Sequence, residues 1–331
     1  MPADFPFGPA ASLQVLKQRA FLLRELRSFF HSQGYWEVET PVLSNDTCVD
    51  LWLDPFEVQT PCRRFLQTSP EFAMKRLLAS GADSIFQVTK SFRSDEVGRR
   101  HNPEFTIVEW YRVGATYHEQ MDFTEQLVRH LQTALATLSV SPPKLGDVIP
   151  RFTYDQAFEA ALRAKVLHLT DTELRDLAAA HLGAAAYNLA QQNRDSLLNL
   201  LLAEIVEPWL ESQQACFLCD FPASQAALAR VRPNTPPVAE RFELYLGELE
   251  ICNGYQELTD PVELRRRNAA QNALRGREGK PELPSESCLL SAMDSGLPEC
   301  SGVALGFDRL LMWLLGAHEI SQVMAFPWPI D

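Results

Sequence analysis

The stretch Phe86-Gln-Val-Thr-Lys-Ser-Phe-Arg-Ser-Asp-Glu-Val-Gly-Arg-Arg-His-Asn-Pro-Glu-Phe-Thr-Ile-Val-Glu-Trp-Tyr-Arg112 decides how the rest of the chain is read. Two β-prone runs, 85–92 and 105–111, flank a polar loop that contains Gly98 and Asn102-Pro103. Turn residues between two such runs predict an antiparallel hairpin with a long connection. The loop carries Arg93, Asp95, Glu96, Arg99, Arg100 and His101, far more charge than a tight turn needs. Guanidinium forks match phosphate oxygens, so the loop reads as a grip on a polyanion. Taken alone, a solvated hairpin tip explains it as well.

On the N-terminal side, residues 1–11 are rich in Pro and Ala and are expected to be poorly ordered. Ser12 can cap a helix with Leu13, Leu16, Ala20, Leu23 and Leu26 on one apolar side, ended by Gly34. A strand pair over 51–58 and 63–68 leads to Ser69-Pro70-Glu71, which reads as cap, first helical residue and first-turn acid of the next helix. A carboxylate in that turn can also hold an ammonium group.

On the C-terminal side, 117–138 reads as a helix and 141–150 as a break. Residues 151–213 are Ala- and Leu-rich and helical, with capping signals at Asp171 and Asp195 and no evident chemistry. Residues 215–221 return to strand, and 241–257 reads as a strand with interspersed acids. Glu250 and Glu257 lie seven residues apart on it. On a plain surface strand that is unremarkable; beside a triphosphate, such carboxylates are what Mg²⁺ takes while keeping sites for phosphate and water. The segment 265–280 is a basic helix, ordinarily a solvated face.

The 331 residues, 46% hydrophobic and 22% charged, suffice for a large core in one or two domains. No bilayer-length apolar run and no signal-peptide pattern appear, so a cytoplasmic location and no membrane partner are expected. Seven cysteines form no paired framework and read as reduced thiols. Cys216-Phe-Leu-Cys219 sits in an apolar run without a second ligand pair. The net charge of −13 disfavours a nucleic-acid partner, whose phosphates need a basic surface, and is compatible with an ATP site.

The wording Phe-Arg-x-(Asp/Glu)-x₅-His-Asn-Pro-Glu-Phe resembles motif 2 of the class II aminoacyl-tRNA synthetases in its lysyl-type version. Ser301-Gly-Val-Ala-Leu-Gly-Phe-Asp-Arg309, running into an apolar helix, resembles motif 3 of that family, over about 301–317. Residues 13–41, a long helix and then a strand ending at Pro41, resemble motif 1; motif 2 spans about 86–112. The resemblance implies an α+β fold: a mixed, mainly antiparallel sheet flanked by helices, with 151–213 as a helical insertion in one catalytic domain, 1–331. It implies a homodimer through motif 1.

It also implies ATP and Mg²⁺ as cofactors. By resemblance Arg93 contacts the α-phosphate and Arg309 the γ-phosphate, and Phe105 stacks on adenine. Ser94, Asp95, Asn102, Glu250, Ile251 and Gly306 complete the nucleotide site, and Glu250 and Glu257 hold the metal. Asp95 stands where the family usually has Glu, a shorter reach to the adenine edge. Ser69, Pro70, Glu71, Tyr111, Glu257 and Ala304 receive the amino acid, with Ala304 where lysyl-tRNA synthetases have Gly. The motif 1 helix begins near residue 12, which leaves no room for an anticodon-binding barrel before it. That pattern resembles the free-standing lysyl-synthetase paralogues that attach (R)-β-lysine to a lysine of elongation factor P, with (R)-β-lysine or lysine as the substrate here; tRNA is disfavoured as acceptor. Competing readings are a truncated tRNA-charging enzyme, an ammonia-dependent amide synthetase of the same fold, and a non-catalytic synthetase-like regulatory subunit. Retention of Arg93, Arg309, Glu250 and Glu257 speaks against the last.

Overall fold

Helix α1 (Leu13–Ser32) starts where Ser12 Oγ accepts the Val15 amide proton at 3.3 Å, and the chain leaves it through Gly34 at φ +81°. The computed structural model describes residues 7–189 and 193–328. Residues 1–6 of the expected disordered lead-in lie outside the described residues. Ala10 and Ala11, by contrast, are tied down, donating to the carbonyls of Ala325 and Met324 at 2.8 and 3.1 Å. The buried side of α1 is Gln18, Leu22, Leu26, Phe29 and Phe30, rotated from the expected stripe. Leu13 is 69% exposed and Ala20 exposed, because Phe29 and Phe30, which the expected stripe omitted, supply the larger apolar area.

Short strands β1 (Trp36–Glu37), β2 (Leu43–Ser44), β3 (Glu57–Val58) and β4 (Arg64–Leu66) follow, with β2, β4 and β3 forming a small antiparallel sheet. The strand expected from residue 51 is a loop up to 56. Its carbonyls are taken by cations: the fully buried Arg275 donates to Asp50 O at 2.8 Å and pairs with Asp54, and Lys280 donates to Leu51 O at 3.0 Å. Helix α2 (Glu71–Ala79) begins one residue later than expected, so Pro70 is its N-cap and Ser69 precedes it. The hairpin is as predicted: β5 (Ser84–Phe92) and β6 (Glu104–Val113) pair antiparallel, Phe92 opposite Glu104. Helix α3 (Tyr117–Ala136) opens on a capping box of Thr116 and Glu119.

Residues 145–258 form a compact unit of their own. It contains β7 (Arg151–Thr153), α4 (Tyr154–Leu162), α5 (Asp171–Leu189), α6 (Arg194–Leu201), α7 (Glu207–Ser212), β8 (Ala215–Pro222), β9 (Val231–Arg232), β10 (Val238–Leu246) and β11 (Leu249–Gln256). Residues 190–192 lie outside the described residues. The caps differ from those expected: Thr170 caps α5 and Asn193 caps α6, while Asp171 and Asp195 sit in the first turns. The helices bury Phe158, Leu197, Leu201 and Leu210 on a sheet ordered β11-β10-β8-β7, with β9 beside β10. The single strand expected over 241–257 is a hairpin, broken at Gly247, whose φ of +57° favours a residue without Cβ.

The remaining described residues, up to 144 and from 259, make the other unit. It is completed by α8 (Pro261–Arg277), α9 (Cys288–Gly296), β12 (Cys300–Gly306) and α10 (Phe307–Leu315). The basic run on α8 is neutralised locally: Arg265 pairs with Glu286 and Asp294, and Arg266 and Arg267 with Glu263. The sheet here is β1-β5-β6-β12, with Phe30 stacked on Phe86 at 4.4 Å. Among the described residues no helix is long and apolar enough to cross a membrane.

One buried cluster joins three elements. Arg19 of α1 lies 2.6 Å from Asp308 Oδ1 of α10 and donates to Thr106 Oγ1 of β6 at 2.8 Å. Asp308 Oδ2 accepts the Thr106 amide proton at 2.6 Å, and the Arg19 guanidinium lies over the Phe307 ring. Asp308 is 2% exposed, so removing its cation strands a charge in low dielectric. Arg19→Met is expected to cost about 3 kcal/mol of unfolding free energy. Arg24→Ala, at a side chain 71% exposed, should change it by less than about 0.5 kcal/mol in the same urea titration. Equal midpoints for the two variants would refute the role given to the cluster.

Candidate active site

Alternation along β6 sorts its side chains between two faces. Thr106 and Trp110 point to the helices: Thr106 meets Arg19, and Trp110 Nε1 donates to Gln120 of α3 at 2.8 Å. Phe105, Ile107, Glu109 and Tyr111 therefore share the opposite face. There the neighbouring strand β12 places Gly302, Ala304 and Gly306 opposite Tyr111, Glu109 and Ile107. Small residues leave this face low, so the larger side chains of β6 stand above a floor.

Glu109, which sequence reasoning missed as a site residue, is the centre of the face. It is 1% exposed; Ser69 Oγ donates to Oε2 at 2.7 Å and Tyr111 Oη to Oε1 at 2.6 Å. Burial, and then the negative charge of Glu71, push its carboxyl from 4.5 to about 7, against the two hydroxyls and the Lys75 ammonium. Lys75, also missed, lies one helical turn beyond Glu71 and pairs with it at 2.6 Å, its side chain 2% exposed and its ammonium 5.9 Å from the Tyr111 ring centroid. The available signal was an acid within the apolar run of β6 and a lysine four residues after Glu71, on the same helix face. Ser69, Glu71, Tyr111 and Ala304 are thus brought together around Glu109. A pocket adjoins them, lined by Thr47, Cys48, Ser69, Glu71, Phe72 and Arg76 among others.

The loop between β5 and β6 holds the second group. Arg93 lies over the Phe105 ring at 5.0 Å and pairs with Glu96 at 2.9 Å. Its Nε–H is buried with no hydrogen-bond partner among the described residues. Arg309, at the start of α10, donates from Nε to Arg100 O at 3.3 Å and contacts His101 Nε2. Two of the candidates are engaged by the fold: Ser94 Oγ donates to Asp54 O at 3.1 Å, and Asn102 donates to Glu104 O and accepts from the Trp328 amide. Asp95 is exposed.

In the unit 145–258, a bulge changes what the seven-residue spacing means. Tyr245 faces Glu250 and Leu244 faces Cys252, so Ile251 is an extra residue on β11 and is buried. One extra residue reverses the alternation, which puts Glu250, Asn253, Tyr255 and Glu257 on one face. On β10, Arg241 and Glu243 lie opposite Tyr255 and Asn253. Arg241 pairs with Glu243, which also accepts from Tyr245 Oη at 2.7 Å. Burial raises the Glu243 carboxyl against the pull of Arg241. Asn253 Oδ1 is buried without a partner among the described residues. No group of three or more His, Cys, Asp or Glu that could hold a metal occurs among the described residues. Mg²⁺ needs fewer, one or two carboxylates with phosphate and water, and the hard oxygens of Glu250 and Glu257 fit that requirement. Cys216 and Cys219 are buried, each thiol pushed up to about 12 by burial, which suits packing and not metal binding.

Residues 9–329 match the family model of the class II tRNA synthetases (D, K and N). The chain is 43% identical over 337 residues, the whole of both chains, to the elongation factor P–(R)-β-lysine ligase of Vibrio vulnificus. It is 44% identical over 328 residues to the protein of the same name from Vibrio cholerae, covering 97% of each. To that from Salmonella dublin it is 41% identical over 325 residues, 96% of each.

Glu109 carries a pH signature. Its folded pKa near 7 lies above the ordinary 4.5, so it stabilises the fold fully below pH 4.5, and that contribution is lost as pH rises to 7. Glu109→Gln, neutral throughout, should gain on the wild type across this window by up to roughly 3 kcal/mol. Melting temperatures of the two proteins from pH 4 to 8 test this; parallel curves would show that Glu109 titrates normally.

Proposed function

Because the chain belongs to the class II tRNA synthetases of the D, K and N type, we propose that it is an ATP-dependent ligase that activates (R)-β-lysine, or lysine, and transfers it to a lysine side chain of elongation factor P. The observation that carries this reading is the acidic cluster of Glu71 and Glu109 beside the Ser69 turn. It has the charge an amine-bearing amino acid requires, next to a strand whose loop presents Arg93.

In the first step the substrate carboxylate attacks the α-phosphorus of ATP, the bond to the bridging oxygen breaks, and pyrophosphate leaves. In the second, a neutral lysine ε-amine attacks the adenylate carbonyl; AMP leaves, a proton is lost and an amide forms. The carboxylate is already the nucleophile, so the first step needs alignment and charge neutralisation more than acid–base work. Arg93 is assigned to the α-phosphate, since its buried Nε–H lacks a partner among the described residues. Phe105 carries Arg93 on its ring and offers its other side to adenine. Arg309 is assigned to the γ-phosphate. Glu250 and Glu257 would hold Mg²⁺, which supplies charge neutralisation on the phosphates. Ser69, Glu71 and Tyr111 receive the amino acid, and Ala304, opposite Glu109, shapes the floor beneath it. A homodimer is supported by the outer stripe of α1, where Leu13 is exposed, and by Trp36, 48% exposed on the following strand.

Arg93→Ala and Arg309→Ala should each lower ATP–pyrophosphate exchange by about a hundredfold or more, with the melting temperature kept. Near wild-type exchange in either would mean the phosphates lie elsewhere. The acceptor is tested by incubating enzyme, ATP, Mg²⁺ and (R)-β-lysine with elongation factor P or with tRNA, and weighing the products. Added mass on the protein is expected; charged tRNA with unmodified elongation factor would refute the reading. Ala304→Gly should raise activity with lysine relative to β-lysine by about tenfold, the worth of one methyl in a pocket. An unchanged ratio would remove Ala304 from specificity.

A further inference from the structure

Several polar groups in the wall of the pocket beside α2 are engaged by the fold. Gln67 Nε2 donates to Thr89 Oγ1 and to Lys90 O. Ser44 Oγ accepts the Asp46 amide proton, and Asp46 Oδ2 accepts that of Cys288. Ser69 is bound to Glu109, and Glu71 to Lys75. The Cys48 thiol is held neutral, pushed well up by burial and by the charge of Glu71. Thr47 differs. It lines this pocket and is 5% exposed, and its Oγ1 is buried without a hydrogen-bond partner among the described residues.

A buried hydroxyl with no partner destabilises the fold, while a valine of the same shape would fill the space without that cost. A ligand that satisfies the hydroxyl accounts for a threonine at this place. The same pocket is bordered by the Glu71 carboxylate, and the next residue, Cys48, lies close enough to feel the charges of both Glu71 and Lys75. An ammonium group has three donors and no acceptor, and Glu71 with one oxygen on Lys75 leaves donors over.

We infer that Thr47 Oγ1 accepts a hydrogen bond from the ammonium that the substrate carries next to its carboxylate, which makes Thr47 a specificity-determining residue of the amino-acid pocket. This rests on the reading above, that the pocket takes an amino acid. The hydroxyl adds direction to the charge of Glu71: it fixes where the ammonium sits, and so where the carboxylate points toward ATP. Substrates lacking that amine make no use of it.

Thr47→Val and Thr47→Ser in the full-length enzyme decide the matter. Exchange kinetics give KM and kcat for lysine and (R)-β-lysine, and competition gives the affinity of 6-aminohexanoate, which has the distal amine but not the proximal one. In Thr47→Val, KM for both substrates should rise about tenfold, with kcat, the KM for ATP and 6-aminohexanoate affinity changed by less than about twofold. Thr47→Ser should stay near the wild type. The melting temperature of unliganded Thr47→Val should equal or exceed that of the wild type, because an unpartnered buried hydroxyl has been removed. A lowered melting temperature would show a structural partner and overturn the inference. So would an unchanged KM, or equal losses with 6-aminohexanoate. If the wild type activates no amino acid, the proposed function fails and this inference with it; wild-type exchange matched by Thr47→Val sinks this inference alone.

Discussion

The buried ion pair between Arg19 and Asp308 is the constraint on which the larger unit depends. Two charges taken out of water repay their desolvation only with good geometry and additional hydrogen bonds. Here the carboxylate lies 2.6 Å from the Arg19 guanidinium on one oxygen and accepts the Thr106 amide proton on the other. The pair fixes α1, β6 and α10 with respect to one another, and so fixes the residues next in sequence to its members. Phe105 precedes Thr106, and Arg309 follows Asp308. Both candidate nucleotide contacts thus inherit their positions from a neighbouring residue of the cluster.

The acidic cluster on the opposite face of β6 works in the contrary sense. Glu109 is buried with hydroxyl donors but raised toward neutrality, so this face gives up stability where the other gains it. Lys75 limits the cost by compensating Glu71, at a buried position where Met74 and Leu78 show that apolar side chains fit nearby. Strain of this kind, a carboxyl kept in low dielectric without a cation of its own, is what a site for a cationic ligand looks like before the ligand arrives. Thr47 belongs to the same pattern on a smaller scale.

Elsewhere the charges are spent on the fold. Arg265, Arg266 and Arg267 of α8 are paired with acids around them, and Arg275 and Lys280 hold the loop at 50–54 by its carbonyls. A basic run in sequence is therefore no measure of free positive surface. The guanidinium of Arg93 differs, since its buried Nε–H finds no partner among the described residues.

The hairpin around Arg93, the helix after Ser12, the helix after Thr116 and the motif 3 strand and helix were legible in sequence, because periodicity, caps and turn residues act over a few neighbours. So were most of the candidate ligands, since the motif wording fixes their spacing. What sequence could not yield depends on distant partners. The buried side of α1 was chosen by Phe29 and Phe30 packing on strands; residues 51–56 became a loop because Arg275, more than two hundred residues on, claims their carbonyls. Glu109 shows in sequence only as an acid within an apolar run; its place at the centre of the site appears once Ser69, Tyr111 and Ala304 surround it. Glu250 and Glu257, an odd number apart, face the same way only because β11 slips by one residue against β10. Local preference sets which elements form; register, burial and the protonation of a buried acid are settled only when the strands meet.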